Sequence, residues 1–220
     1  MEIGSGRYAR IALRLLAAGA KQVTLVDPHA VALADAEHRL LLLGDMRGLG
    51  LDAQETLPRI QLVTGDLAAL PSPADERRAD VIISNAVMEH VRDPDMAFRQ
   101  CSSWLRLGGK TCHVIDLRDH NLQFRSPFEM LTFSEAVWSR WLDPPGGFHM
   151  NRWRANDYVR ALQAAGFADV NYQVLIRDAE NLRLIKPRLH PRFRQLEDDV
   201  LAIVNIVLCG TKMAVQGQIT

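Results

Sequence analysis

The chain opens MEIGSGRYAR, in which Gly4, Ser5 and Gly6 begin a turn of the pattern G-x-G-x-x-[GA] that Ala9 completes. Glycines there let the backbone approach a ligand closely, and the helix expected after them offers free N–H groups. Asp27 ends the next apolar run, where a carboxylate accepts hydrogen bonds from ribose hydroxyls. Glu2 precedes Gly4 by two positions, where a dinucleotide site places an apolar residue. A carboxylate at that point suits a ligand carrying an ammonium group and positive charge, and disfavours a pyrophosphate. Gly65-Asp66, in TGDLAALP, adds an acid able to accept a hydrogen bond from an adenine amino group. Together these residues describe three anchors for one nucleoside-bearing ligand.

A second set of residues could move protons. His90 lies in SNAVMEHVRDP, Asp119 and His120 in DLRDHN, and His149 in GGFHMNRW. A histidine changes charge near neutral pH and so serves as a general acid or base. His90 follows a strand at its carboxyl end, the edge at which open α/β sheets bind ligands. The alternative for His90 is a local hydrogen bond and packing against the ligand. Asp119 and His120 leave the following strand at the same edge and are alternative bases, with His149 a fourth candidate.

These groups need a scaffold, and the apolar pattern supplies one. A helix is expected over Arg7–Ala18, with Ile11, Leu15 and Leu16 at helical spacing, then a strand at 22–27 and a helix over His29–Leu43. Further strands fall at 59–64, 79–84 and 109–116, with a helix over Asp95–Leu105 after Pro94. Strands alternating with helices of this length make right-handed βαβ units and a parallel sheet.

Beyond Asp116 the pattern changes, and residues 117–153 read as an insertion over one end of the sheet, with a DPPGG turn at 143–147. Its aromatics, Phe124, Phe128, Phe133, Trp138, Trp141, Phe148 and Trp153, either line a substrate pocket under a lid or pack the insertion itself. Arg152 and Arg154 flank Trp153 and could meet a substrate carboxylate or phosphate, with surface arginines as the plainer reading. A helix at 156–165 closed by Gly166, a strand near 168–177, a basic connector and a strand near 202–212 complete the chain.

Composition bounds the partners. The 220 residues are 48% hydrophobic, enough for one domain with a substantial core. Lys plus Arg and Asp plus Glu number 26 each, so no global field draws the protein to nucleic acid or to an anionic membrane. RLIKPRLHPRFRQ at 183–195 is basic, but it holds one aromatic, Phe193, and EDD follows it. It reads as a loop that covers the pocket or mediates homodimerisation, with nucleic acid disfavoured. Cys101, Cys112 and Cys209 are scattered and form no C-x-x-C pair, which suggests neither a disulfide framework nor a zinc site and reads as a reduced, cytoplasmic protein. The longest apolar run, VLAIVNIVLCG, is too short to span a bilayer.

Taken in order, the E-x-G-x-G loop, the acid at Asp27, the Gly65-Asp66 pair, the block SNAVMEHVRDP and LRLGGK strongly resemble the class I S-adenosylmethionine-dependent methyltransferases, over most of residues 1–116. The resemblance implies an α/β, Rossmann-like fold. Its sheet is seven-stranded and mostly parallel with the last strand antiparallel, helices lie on both faces, and an insertion follows strand 5. It divides a single domain into a cofactor half (1–116), a substrate insertion (117–153) and a C-terminal helix with a strand pair (154–220). The cofactor implied is S-adenosyl-L-methionine. By the resemblance, Glu2, Gly4, Ser5 and Gly6 border its methionine portion, and Asp27 and Pro28 its ribose and adenine edge. Gly65, Asp66 and Leu67 border the adenine, while Asn85, Ala86 and His90 line the methyl-transfer face. Asp116, Asp119 and Asn121 do not reproduce the spacing of the metal-dependent catechol relatives, so no metal is expected.

The reaction implied is methyl transfer to a small molecule, with a hydroxyl as the first choice of acceptor. A catalytically silent binding or scaffold protein and an NAD-linked oxidoreductase remain as alternatives from other classes. One departure from the family pattern stands out: strand 1 is cut to MEI, whereas members have several more apolar residues and often a helical segment before it. The expectation drawn from this is a truncated chain or a mis-assigned start, with a shortened central strand, an exposed cofactor site and weakened binding.

Overall fold

The structure, a computed structural model, describes residues 1–6, 8–28, 36–122, 125–143 and 149–213. Seven strands are present: β1 (Glu2–Ile3), β2 (Val23–Asp27), β3 (Ile60–Thr64), β4 (Ala79–Asn85), β5 (Leu105–Asp116), β6 (Phe167–Arg177) and β7 (Ile203–Lys212). They form one sheet in the order β3-β2-β1-β4-β5-β7-β6. β1 to β5 pair in parallel, and β7 runs antiparallel between β5 and β6. This is the expected Rossmann-like topology with its antiparallel last strand.

The helices follow from local chemistry. α1 (Arg10–Ala17) turns Ala12, Leu13 and Leu16 inward. It starts three residues later than its periodicity suggests, because Ala9 takes a left-handed conformation, φ 44°, that no helix can include. α2 (Ala36–Gly48) runs past the expected end at Leu43, and its expected beginning at 29–35 lies outside the described residues. α3 (Ala53–Thr56) is a single turn capped by Asp52. α4 (Pro94–Trp104) has Pro in its first turn and an Asp93 side chain that accepts from the Met96 N–H at 2.8 Å. Within the insertion, α5 (Glu135–Val137) continues into a π-helical turn, Trp138–Leu142. α6 (Ala155–Ala164) ends just before Gly166, which adopts the left-handed φ of 87° that a C-terminal stop requires. The basic connector is helical as well: α7 (Ala179–Ile185), α8 (Pro191–Arg194) and α9 (Asp198–Leu201).

Three apolar clusters hold these elements. One packs the sheet against α4 and α6 through Phe98, Ile115, Tyr158, Leu162 and Ile206, and another packs β2 against α1 and α2 through Leu13, Leu25 and Leu42. The third joins the insertion to the connector, with Phe128, Leu131 and Trp138 against Leu182, Ile185, Leu189 and Phe193. Neither segment has a long period of its own, because each buries its apolar groups on the other. Arg154 is fully buried beneath this cluster and donates to the carbonyls of Leu117 (2.8 Å), Leu201 (3.0 Å) and Ile203. Large side chains buried at ~1.5–3 kcal/mol each are enough to offset the several kcal/mol that desolvating one guanidinium costs.

Some open alternatives are decided here, the packing of the insertion aromatics among them, and other expectations are corrected. Phe128, Phe133 and Trp138 pack the insertion's own core, Trp153 lies against Tyr158, and Trp141 points outward with 70% exposure. Phe124, Phe148 and most of the DPPGG turn lie outside the described residues. Arg152 is buried against the carbonyls of Met130 and Phe133 and the Glu135 carboxylate, so neither arginine beside Trp153 is a surface group. Cys112 and Cys209 face each other across β5 and β7 with Cα atoms 4.3 Å apart and form a disulfide, contrary to the reading from spacing. A pair 97 residues apart is brought together by strand register alone. No helix among the described residues is long and apolar enough to cross a membrane.

Candidate active site

The glycine turn leaves the sheet between β2 and β4, where the strand order reverses and open α/β sheets form a crevice. Gly4 and Gly6 both have left-handed φ, 68° and 58°. The Gly4 N–H donates to the Val26 carbonyl at 2.8 Å, and the Gly6 N–H to Asp27 Oδ2 at 3.0 Å. A Cβ at Gly4 would lie 2.3 Å from Val87 Cγ2, so only glycine lets the turn pack against the segment after β4. Ser5 Oγ is buried without a hydrogen-bond partner. Glu2 is buried too, and its Oε2 accepts from the Ala12 N–H at 3.0 Å, which serves the open N-terminus of α1. Burial raises its pKa to about 7.

A cavity of about 560 Å³ opens at this edge of the sheet. Gly4, Pro28, Gly65, Asp66 and Leu67 form one side, and Val87, His90, Val91, Arg92 and His149 the other. Asp66 Oδ1 accepts from the Ala68 N–H at 3.0 Å and so shapes the turn that carries Leu67. The bare backbone at Gly4, the unpartnered Ser5 hydroxyl and the acid at the end of β2 fit an adenosine-bearing ligand with polar edges. Of the other residues assigned to the cofactor, Asn85 and Ala86 stand exposed at the end of β4, and Ala86 takes a positive φ of 53° while donating to the Val114 carbonyl at 2.9 Å.

The candidate bases part company in space. His90 Nδ1 donates to the His149 carbonyl at 2.7 Å, which puts the proton of the neutral ring on that nitrogen. Burial lowers its pKa. The His120 ring stands 5.0 Å from that of His90, and its Nε2 is 3.4 Å from Asp116 Oδ2, whose hydrogen bond raises the His120 pKa. Burial pushes Asp116 up, but hydrogen bonds from His120 and Arg118 outweigh it and hold that carboxyl well below its ordinary range. Asp119 is fully buried, and its Oδ1 accepts from the N–H groups of Asn121 (2.8 Å) and Leu122 (2.7 Å). It holds a turn and does not line the cavity.

His149 is arranged differently. The residue lines the cavity; its Nδ1 is 2.5 Å from Asp143 Oδ2, and its Nε2 is buried with no hydrogen-bond partner. Asn151 clasps the His90 turn, donating from its side chain to the carbonyls of Met88 (2.7 Å) and Val91 (3.1 Å) and from its backbone to that of Glu89 (3.0 Å). Glu89 in turn accepts from the Asp116 N–H at 3.2 Å, and burial raises its pKa to about 7. Sequence reasoning missed Asp143, Asn151 and Val87 as parts of this site. All lie inside stretches singled out in the sequence, Val87 and Glu89 in SNAVMEHVRDP, Asp143 at the head of DPPGG and Asn151 in GGFHMNRW, but nothing local gave them a role at the site.

A family model for the methyltransferase domain matches residues 1–172. The chain belongs to this family. Its members use S-adenosylmethionine, an adenosine-bearing ligand of the kind the cavity residues fit, and the NAD-linked alternative falls away. The methyltransferase is similar in fold to an S-adenosylmethionine-dependent methyltransferase from Mesorhizobium loti (16% identity, TM-score 0.56, covering 96% of this chain and 89% of that one). It also resembles phosphoethanolamine N-methyltransferase 2 of Haemonchus contortus in complex with S-adenosyl-L-methionine (14% identity, TM-score 0.53, 97% and 48% covered). The [4+2]-cyclase SpnF is a third neighbour, at 18% identity and TM-score 0.55, with 97% and 74% covered. Identities this low speak for the fold alone, and a fold shared with a cyclase does not by itself fix a reaction. No curated protein matches the methyltransferase.

Proposed function

We propose that this methyltransferase transfers a methyl group to a hydroxyl oxygen of a small molecule. The observation that carries the reading is the placing of His90 and His149 on the cavity wall, with the His120 ring 5.0 Å from that of His90 and ring nitrogens of all three engaged by partners. When bound, S-adenosylmethionine supplies a methyl group on a positively charged sulfur. Glu2, Gly4, Ser5 and Gly6 hold its methionine end, Asp27 and Pro28 its ribose, and Gly65, Asp66 and Leu67 its adenine. Asn85, Ala86 and His90 border the face at which the acceptor arrives. A hydroxyl is a poor nucleophile until its proton leaves, so a positioned histidine adds about 10²–10⁴-fold, a gain that an amine or carbon acceptor does not need. Holding the acceptor in line contributes up to ~7–11 kcal/mol in favourable cases.

Small acceptors are favoured over RNA because cations of the basic connector already have partners. Arg188 pairs with Glu129 at 2.6 Å, Arg192 with Glu135 at 2.8 Å and Lys186 with Asp198. The test is titration calorimetry with S-adenosylmethionine, S-adenosylhomocysteine and NADH, followed by a labelled-methyl assay on panels of phenols, alcohols and amines. Micromolar binding of the sulfonium pair, weakened at least tenfold in Asp27→Ala, with label appearing on a hydroxyl, supports the proposal. Binding with label appearing only on amines overturns the choice of acceptor.

A further inference from the structure

We propose that Asp143 is a positioning residue that makes His149 the general base of this site. The inference rests on the hydroxyl reading above and names the groups that serve it. A neutral imidazole whose Nδ1–H is given to a carboxylate presents its lone pair at Nε2. His149, a residue of the cavity wall, meets that condition, with Nδ1 2.5 Å from Asp143 Oδ2 and with Nε2 buried and unpartnered. Of the other two histidines, His120 is engaged through Nε2 with Asp116, and His90 gives its Nδ1–H to the neutral His149 carbonyl, so neither has a carboxylate behind a free Nε2 as His149 does.

Trp138 sets the alignment. Its backbone carbonyl accepts the Asp143 N–H at 2.8 Å, and its indole N–H donates to the carbonyl of Met150, next to His149, at 3.2 Å, so one buried residue ties down the chain beside both members of the dyad. The Asp143 carboxylate is itself buried, and the Arg92 guanidinium stands 3.6 Å from the same Oδ2. In the step proposed, the acceptor's O–H bond breaks and its proton passes to His149 Nε2. The electron pair left on oxygen forms the bond to the methyl carbon, and the pair of the carbon–sulfur bond stays with sulfur. Asp143 keeps its charge throughout and stabilises the imidazolium that forms.

The test uses the whole chain and two readouts. In the cofactor-free protein, nitrogen-edited NMR of the histidine side chains is expected to show His149 as the Nδ1–H tautomer, and Asp143→Ala to convert it to a mixture. With a hydroxyl acceptor, Asp143→Asn is expected to lower kcat about 10²-fold with KM within threefold. His149→Ala is expected to be at least as impaired, with the double variant no worse than His149→Ala. Asp143→Glu restores part of the rate if the carboxylate, and not the local packing, is what matters. A His149 tautomer indifferent to Asp143→Ala, or Asp143→Asn within twofold of the parent, overturns the proposal. If the parent binds S-adenosylmethionine but methylates no hydroxyl, the acceptor reading fails. The tautomer measurement then still decides whether Asp143 orients His149.

Discussion

Substituting Gly4 by alanine tests whether the glycine turn is required for close approach between chain segments as well as for a ligand. The new Cβ would sit 2.3 Å from Val87 Cγ2, 3.2 Å from Cγ1 and 3.3 Å from Cβ. Carbon atoms are comfortable at ~3.5–4.0 Å, so the first contact overlaps by more than ~1 Å. Val87 is β-branched and cannot swing both methyl groups aside at low cost. Overpacking of this kind costs about 1–3 kcal/mol, and alanine at the left-handed φ of 68° adds roughly 1–2 kcal/mol. Gly4→Ala alone is therefore expected to destabilise by roughly 2–5 kcal/mol. Val87→Ala removes the 2.3 and 3.2 Å overlaps, keeps a 3.3 Å contact at Cβ that a small shift relieves, and leaves the backbone term, so in that background the same change costs about 1–2 kcal/mol. Urea unfolding of the parent, both single variants and the double variant measures the coupling, expected at about 1–3 kcal/mol in favour of the double. Additive losses within ~0.5 kcal/mol would show that Val87 is not what demands a bare backbone at position 4. Because Val87 also lines the cavity, S-adenosylmethionine binding measured on the same four proteins separates a packing defect from a lost cofactor contact.

Two further expectations concern stability. His113 is fully buried between Ser84 Oγ (2.8 Å) and Thr111 Oγ1 (2.6 Å), and burial lowers its pKa to about 3. The unfolded chain takes up that proton below about 6.5 and the native state does not. Its contribution to stability is thus complete above pH 6.5 and is lost toward pH 3 at ~1.4 kcal/mol per unit. The stability gap between the parent and His113→Asn should narrow at that slope as pH falls, a comparison in which the opposite effects of Glu2 and Glu89 cancel; a constant gap refutes it. Arg154→Met leaves the carbonyls of Leu117, Leu201 and Ile203 without their donor, at ~1–3 kcal/mol each, so a loss of about 3 kcal/mol or more in denaturant unfolding is expected.

The cofactor half was legible in the sequence because its signals are local. Periodicity marks β2, β3, β4 and α4, and glycine marks the one backbone that turns back at Gly4 and Gly6. The errors there have local causes also, as at α1, where the left-handed Ala9 delays the helix to Arg10. The C-terminal half was less legible because its apolar residues are satisfied by each other. The insertion aromatics read alone leave pocket and core both open, and Leu182, Ile185 and Phe193 decide for a core.

What the sequence by itself determined is the order of strands and helices, the turn at Gly4 and Gly6, and the acids Asp27 and Asp66 at strand ends. These depend on interactions within a few residues, or on a period that one element carries along its length. Tertiary structure alone decided that His90 and His149, of the four candidate bases, line the cavity. Asp119 and His149 are equally polar in sequence, yet one is spent on the amides of Asn121 and Leu122 and the other is held toward the cavity by Asp143. The pairing of Cys112 with Cys209 and the clasp of Asn151 on the His90 turn belong to the same class. Each joins groups far apart along the chain, and only the register of the folded sheet and the packing of the insertion bring them within reach.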